Sequence, residues 1–299
     1  EKGIGDDSIL IPCNRENLLI SVDSFVEGVH FKWDWKHEKK VGRKALVASC
    51  SDILAMGGCA THFLLSLVIP PDLENTQLFN FLTGIKEFTE EYSLKLAGGN
   101  ITGGKLFEVH ITVLGFKYGS RVITRAGAKP GDIILLTGKL GGSQAGQMLL
   151  ENNYNSLPEE TKRRLVDRFL NPIFRLREAR FIAQFNGVSS MIDISDGLYA
   201  DLGHIIEMSS VGAKLELDSI PIYQGVAEFC HHAQLNPLEL ACKSGEEYEL
   251  LFTINQVEFR SLLTQAKTEG LKFTPIGQIV QGNNISPLLP KNQGGYTHF

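Results

Sequence analysis

The sequence predicts an α/β (α+β) protein of two layered domains. Short apolar runs alternate with segments of helical periodicity, which is the pattern of strands and helices packed in layers. A chain of 299 residues exceeds the usual length of one domain, although length alone also allows one large α/β unit. The dense turn at 127–132 separates two halves of different pattern. We place the boundary just ahead of it, giving predicted domains 1–120 and 121–299.

The first half contains the clearest antiparallel signal. Residues 107–113 alternate apolar and polar side chains, which predicts a half-buried antiparallel strand. Asn75 is a candidate N-cap for a helix whose apolar positions recur every three or four residues up to Tyr92. Further strands are predicted at 18–22, 63–69 and 94–97.

In the second half, predicted strands and helices alternate. The predicted strands are 133–137, 188–192, 215–217 and 250–254. The predicted helices are 143–150, helices within 159–185, one after Gly197, and one near 256–268. This alternation indicates an α/β layered domain.

Composition favours small-molecule ligands. The chain carries 29 Lys+Arg against 34 Asp+Glu, a net charge of −5 without a long basic run, which argues against a nucleic-acid or anionic-membrane partner. Apolar runs stay well short of the roughly 18–20 residues that a membrane span requires. The five cysteines are odd in number and form no C-x-x-C pair, so we expect reduced thiols and a cytoplasmic location.

Two glycine-rich segments are similar to phosphate-binding loops but do not meet their requirements. Residues 99–106 approach the Walker A spacing, but Leu106 stands where a hydroxyl would reach Mg²⁺, and a strand pattern follows instead of a helix. Residues 138–142 lack the G-x-G-x-x-G register. We interpret the second segment as a tight strand-to-helix turn.

Aspartates beside small or β-branched residues give the chemical signal. They occur at the ends of apolar runs, in residues 5–8, 21–24, 49–52 and 192–197. Strand ends meet at a sheet edge, where ligands bind. Any one of these aspartates could instead be an N-cap or a turn residue, but so many acids brought together would repel unless cations neutralised them.

A carboxylate cluster that collects Mg²⁺ is suited to a polyphosphate. The sequence therefore predicts nucleotide chemistry without a P-loop. In phosphoryl transfer the protein positions donor and acceptor while metals neutralise charge, so a nucleophilic Ser or Cys is not required.

Other candidates have open interpretations. Arg125 could contact a phosphate or be solvated at the domain boundary. One of the glutamates at 246, 247 and 249 could recognise a cationic ligand, although a solvated charge run is the default. Composition alone makes His30 and Tyr296 packing or surface residues.

Ordered motifs along nearly the whole chain resemble the thiamine-monophosphate kinase family. This family belongs to the superfamily of aminoimidazole-ribonucleotide synthetase, selenophosphate synthetase and the hydrogenase-maturation ATPase. The Glu-Glu-Tyr-Glu-Leu segment and the Gly-Tyr-x-His-Phe tail favour the thiamine branch. The motifs lie at residues 3–7, 21–24, 28–31, 51–57, 127–132, 193–198, 245–250 and 295–299.

The resemblance implies transfer of the ATP γ-phosphoryl group onto thiamine monophosphate, which yields thiamine diphosphate. It also implies two α/β domains, the first contributing strands to a dimer barrel, and hence a homodimer. By position, the implied Mg²⁺ ligands are Asp7, Ser21, Val22 through its backbone, Asp23, Asp52, Asn100, Asp193 and Asp196. The implied ATP contacts are Arg125 and Ser195, and the implied substrate contacts are His30, Glu246 and Tyr296, of which a carboxylate and an aromatic face suit a cationic ring.

Two positions depart from the family pattern. Asn100 stands where relatives have a metal-binding Asp; its carbonyl oxygen can still coordinate, so we expect weaker metal binding at one site. Glu247 stands where Asp is usual. The alternatives are another ATP-dependent member of the superfamily, or a non-catalytic binder of nucleotide or thiamine phosphate marked by Asn100.

Overall fold

Two β-sheets, one in each half of the chain, form the framework of the structure. A computed structural model describes residues 9–13, 16–152 and 154–288. Asp7 and Tyr296, for which the family resemblance implies metal and substrate contacts, lie outside these residues.

Five described strands form the first sheet, in the order β1-β2-β5-β3-β4. Strand β5 runs antiparallel to both β2 and β3, which confirms the prediction from its alternating pattern, and β4 runs parallel to β3. Helices α1 and α2 cover one face of this sheet, and a 3-10 turn at Trp33–Trp35 precedes α1. The elements are β1 (Ile9–Cys13), β2 (Glu16–Val26), α1 (Glu38–Ala55), β3 (Gly58–Ile69), α2 (Asn75–Tyr92), β4 (Lys95–Gly103) and β5 (Glu108–Lys117).

Six described strands form the second sheet, in the order β11-β8-β10-β6-β9-β7. Its neighbouring strands are antiparallel except β11, which runs parallel to β8. The strands are β6 (Ile133–Thr137), β7 (Val188–Asp193), β8 (Gly212–Leu215), β9 (Leu250–Ile254), β10 (Phe273–Val280) and β11 (Ile285–Ser286).

Helices surround the second sheet. They are α3 (Gly142–Glu151), α4 (Glu159–Leu170), α5 (Leu176–Ile182), α6 (Leu198–Ser209), α7 (Val226–Ala233), α8 (Pro237–Lys243) and α9 (Gln256–Thr268). Within the described residues, we find no helix whose length and apolar character would let it span a membrane. The mixed two-sheet architecture agrees with the predicted fold class. The domain boundary near residue 120 stays a prediction.

Several predicted elements differ from the structure. The predicted strand at 215–217 is wrong, because β8 ends at Leu215 and a 3-10 turn, Leu217–Ser219, follows it. Helix α1 is absent from the predictions, as are β10, α7 and α8. Most of α1 is buried on all sides, including Lys44, Ser49 and Ser51, so its sequence has no single apolar stripe.

Helix α1 connects the two halves. Its residues Leu46 and Ile53 belong to the core beneath the first sheet. Leu54 and Ala55, at its C-terminal end, instead pack with Ile182 and other side chains of the second half. The position of one helix therefore fixes how residues of the two sheets meet.

Glycines allow α1 and α2 to approach closely. A Cβ added at Gly84 would lie 1.9 Å from the carbonyl oxygen of Lys39, and a Cβ added at Gly42 would lie 2.1 Å from that of Phe81. Because the obstructing atoms belong to the backbone, a side-chain rotation cannot relieve the overlap.

We expect Gly84→Ala to destabilise the protein by about 1–3 kcal/mol, because the two helices must move apart. The matched control is Gly203→Ala in α6, where an added Cβ meets nothing within 4 Å. This control should gain about 0.5–1 kcal/mol, since Ala has the higher helix propensity. Urea unfolding of both variants measures the difference, and equal stabilities would contradict the close packing.

Candidate active site

A cavity of about 380 Å³ lies between residues of the two halves. The first half contributes side chains from β2 and α1, and the second half contributes the loop after β7, the start of α3 and the segment 243–248. This volume falls in the range of small-molecule sites.

Four of the predicted metal-binding aspartates line this cavity: Asp23, Asp52, Asp193 and Asp196. Only Asp193 ends a strand, as the sequence pattern suggested. Asp23 lies within β2, and Asp52 lies in α1, so the assignment of residues 49–52 to the end of an apolar strand is wrong. The acids meet because a helix and two strands from different sheets face the same space.

Hydroxyl groups orient these carboxylates. The Ser51 hydroxyl donates to Asp193 Oδ2 at 2.7 Å, and the Ser21 hydroxyl donates to Asp52. Ser21 is buried and was itself predicted as a metal ligand, whereas the Ser51 contact was not predicted. The available sequence signal was that Ser21 and Ser51 lie within two residues of an aspartate, Asp23 and Asp52 respectively.

Burial makes the acids costly to ionise. It raises the pKa of Asp193 to about 6, and the charge of Asp23 adds to this rise while Ser51 and Arg125 oppose it. Burial also raises the pKa of Asp23, against a hydrogen bond from Ser49. Oxygen donors of high charge in one polar cavity fit a hard divalent cation such as Mg²⁺.

The loop after β7 is held by Asp201, a residue that the sequence reasoning missed. Its Oδ2 accepts the backbone N–H groups of Ser195, Asp196 and Gly197 at 3.2, 3.2 and 3.0 Å. Asp201, Asp196 and His204 also have ligand atoms within 4.8 Å of one another. Because one oxygen of Asp201 already accepts three donors, its main effect is to fix Ser195 and Asp196 beside the cavity. The sequence signal that could have indicated this role of Asp201 is an Asp in the first turn of a helix that begins directly after a glycine.

The default interpretation of residues 246–249 as a solvated charge run is wrong. Glu247 and Glu249 are fully buried and paired with two arginines. Arg168 Nη2 lies 2.9 Å from Glu247 Oε2 and 2.8 Å from Glu249 Oε1. Arg175 binds both oxygens of Glu249 at 2.6 Å. Burial raises the pKa of Glu247, which Arg168 opposes.

Glu247 also binds the start of α3. Its Oε1 accepts the N–H of Gly141 at 2.7 Å and the N–H of Ser143 at 3.2 Å. This helix N-terminus is therefore occupied by a carboxylate of the chain itself, which confirms the interpretation of 138–142 as a strand-to-helix turn. Residues 99–106 belong to β4 and the turn into β5. A strand and not a helix follows them, so this segment does not form a P-loop.

The remaining predicted contacts divide into three groups. His30, Ser195 and Glu246 line the cavity. Arg125 is not among the lining residues, but its charge lowers the pKa of Asp193. Val22 is 66% exposed, and Asn100 is exposed on the edge strand β4; neither residue is among those that line the cavity. The ligand roles of all these residues stay predictions.

Comparison with known proteins matches both halves of the chain. Residues 5–117 match the family model of the AIR synthase related protein N-terminal domain, and residues 129–289 match the C-terminal domain. The thiamine-monophosphate kinase of Buchnera aphidicola subsp. Schizaphis graminum is 36% identical over 306 residues, covering 100% of this chain and 92% of the relative. The thiamine-monophosphate kinase of Escherichia coli K12 is 34% identical, with coverage of 100% and 92%.

Solved structures give the same result. The structure of AaThiL complexed with AMPPCP and TMP superposes with a TM-score of 0.88 at 31% identity, covering 100% of this chain and 93% of that one. The thiamine monophosphate kinase of Aquifex aeolicus superposes with a TM-score of 0.82 at 31% identity, with coverage of 93% and 90%.

We expect Asp193→Asn to stabilise the ligand-free protein above pH 6 by about 2–3 kcal/mol. The folded pKa of about 6 exceeds the ordinary value of 3.8, so ionised Asp193 costs stability above pH 6 and costs nothing below pH 3.8. The gain should therefore grow as pH rises from 4 to 6. The amide oxygen can still accept the Ser51 hydroxyl.

Urea unfolding in EDTA between pH 4 and 8 measures this gain, with the exposed Asp72→Asn as the control, which should change stability little. Millimolar Mg²⁺ should reduce the gain by stabilising the wild type. A variant less stable than the wild type at pH 7.5 in EDTA would contradict the electrostatic cost.

Proposed function

The chain belongs to the thiamine-monophosphate kinase family of AIR synthase related proteins, and we propose from this that it transfers the γ-phosphoryl group of ATP to thiamine monophosphate. The products are ADP and thiamine diphosphate. The bond from the γ-phosphorus to the bridging oxygen of ATP breaks, and a bond to a phosphate oxygen of thiamine monophosphate forms.

One observation of the site carries this proposal: four aspartates from both halves of the chain face one cavity. Asp23, Asp52, Asp193 and Asp196 would hold Mg²⁺, and Mg²⁺ when bound supplies positive charge for the phosphate oxygens. The hydroxyls of Ser21 and Ser51 keep two of these carboxylates oriented. Because the acceptor is already an oxyanion, the protein needs to position the two phosphates and needs no general base.

Other residues that line the cavity suit the organic part of the substrate. Glu246 and His30 line the cavity with Phe25 and Val29. A carboxylate beside apolar and aromatic side chains favours a cationic ring such as the thiazolium of thiamine monophosphate. The relatives named thiamine-monophosphate kinase favour this substrate over those of other superfamily members and over a non-catalytic binder.

We also propose a homodimer. Strand β4 is exposed at the edge of the first sheet, where Leu96 and Ile101 are apolar and solvent-exposed. Leu64 on the neighbouring strand β3 and Val22 on β2 add further exposed apolar surface to the same sheet. An unprotected apolar edge is uncommon in a monomer, and a second copy would cover it. The cytoplasmic location stays a prediction, with which the four free thiols described agree.

With Mg²⁺, ATP and thiamine monophosphate, we expect the wild type to form thiamine diphosphate, measured by fluorescence after oxidation to thiochrome and chromatography. Asn100→Asp should raise the rate only a few-fold, because the wild-type amide oxygen already offers one ligand. The control Asn283→Asp makes the same change at an exposed loop residue. An inactive wild type would contradict the kinase, and a large gain from near zero in Asn100→Asp would support the binder.

We expect Ile101→Glu to convert a dimer into a monomer, since it places a charge on the exposed apolar strand. Ile101 is 69% exposed on β4 in the single chain. The control is Val257→Glu on α9, where Val257 is 89% exposed, and it should leave the dimer intact. Size-exclusion chromatography with light scattering measures the mass. A monomeric wild type, or an unchanged mass in Ile101→Glu, would show that β4 is not the interface.

A further inference from the structure

A buried lysine lies directly behind the cavity wall. Lys44 is 1% exposed and lies on α1. Ala48 and Asp52, one and two turns further along the same face, line the cavity. The Lys44 ammonium is 3.1 Å from Oε1 of Glu246, which also lines the cavity. Lys44 thus reaches the site through another side chain.

The surroundings of the ammonium are unusual for a lysine. Its nitrogen lies 3.4 Å from the centroid of the Phe169 ring, in a cation–π contact. The contact with Glu246 is an ion pair that does not meet hydrogen-bond geometry. Burial lowers the pKa of Lys44, and the charges of Glu246 and Glu247 oppose this. A buried ammonium is costly, so an apolar side chain would serve packing better at this place.

The backbone of Glu246 is also constrained. Glu246 and Tyr248 have φ values of 53° and 52°, which non-glycine residues rarely adopt. Their N–H groups donate to the carbonyls of Ser195 and Ile194 at 2.8 Å. The Tyr248 hydroxyl lies 3.5 Å from Glu246 Oε1, the oxygen that Lys44 also reaches. Strain of this kind persists where surrounding contacts hold it and is frequent at functional sites.

We propose that Lys44 is a positioning residue for substrate recognition, which holds the Glu246 carboxylate at the cavity wall so that it meets the cationic ring of thiamine monophosphate. This inference rests on the proposed function. When the ring is bound, the carboxylate lies between two positive groups and serves both. Through its ion pair, Lys44 restricts the orientation of the Glu246 carboxylate. The Phe169 ring contacts the Lys44 ammonium on another side and holds it in place.

Two effects of removing Lys44 oppose each other. Loss of the ammonium removes a positive charge from the neighbourhood of the cationic ring, which alone would strengthen binding. It also removes the ion pair that restricts the orientation of the Glu246 side chain, which can then turn away from the cavity. Because a misplaced carboxylate loses its close contact with the ring, we expect the second effect to dominate.

The test compares Lys44→Met with Lys40→Met. Lys40 lies on the same helix, but it is a surface residue paired with Asp167 at 2.8 Å. We expect Lys44→Met to raise the KM for thiamine monophosphate about tenfold, with the KM for ATP within twofold and kcat within threefold of the wild type. A phosphate ester in which a neutral thiophene replaces the thiazolium ring should keep its KM. Lys40→Met should change none of these values.

A double-mutant cycle separates positioning from general packing. In the background of Glu246→Gln, Lys44→Met should change the KM for thiamine monophosphate less than twofold, because the carboxylate is already absent. An unchanged or lower KM in Lys44→Met, an equal rise for the neutral ester, or additive effects with Glu246→Gln would each overturn the proposal.

Should Lys44→Met fail to fold, Phe169→Leu replaces it, since this change removes only the ring behind the ammonium. A selective rise in the KM for the cationic ester is again expected, and its absence overturns the proposal. An active wild type with an unchanged KM in the variants rejects this inference alone. A wild type that forms no thiamine diphosphate rejects both the inference and the proposed function.

Discussion

The mutual repulsion of carboxylates that face one cavity, one of them buried and the others half-buried, is the constraint on which this structure depends. Asp23, Asp52, Asp193 and Asp196 face one cavity, and burial opposes the charge of at least two of them. Such a group exists only if the surrounding fold supplies more stability than the repulsion removes, and a bound cation then turns the cost into affinity. The acids come from both halves of the chain, so the packing between the halves sets their spacing.

A buried helix and a cluster of buried ion pairs provide the packing between the two halves. Helix α1 is buried along most of its length and takes part in the cores of both halves. The cluster of Arg168 and Arg175 with Glu247 and Glu249 joins α4, the residue before α5, the start of α3 and the segment that precedes β9. Removing one member would leave an unpaired buried charge, so the cluster behaves as a unit. The strained backbone at Glu246 and Tyr248 lies beside it and is stabilised by the same surroundings.

The sequence predicts elements with a regular period and misses those whose environment is irregular. Strands β6 and β9 and helix α9 agree with their predicted bounds, because each has a simple apolar pattern. Helix α1 could not be found by period, since it is buried on all sides. Residue type and position predict an acidic cluster, and the family resemblance predicts which aspartates are metal ligands. Whether Glu247 is solvated or paired instead depends on Arg168, which is 79 residues away in the chain. Local patterns do not contain such distant partners.

The aspartates and glutamates of the site have different hydrogen-bonding and ion-pair partners, and this difference indicates two different roles for their carboxylates. Among the cavity aspartates, the hydroxyls of Ser21 and Ser51 orient Asp52 and Asp193 without neutralising them. Behind the cavity, the glutamates pair with cations instead, Glu247 and Glu249 with arginines and Glu246 with Lys44. A neutral donor leaves the charge of a carboxylate for a metal ion, whereas a cationic partner uses that charge for structure. Glu246 belongs to both groups, since it pairs with the buried Lys44 and also lines the cavity. This position suits Glu246 to a ligand that carries one delocalised positive charge.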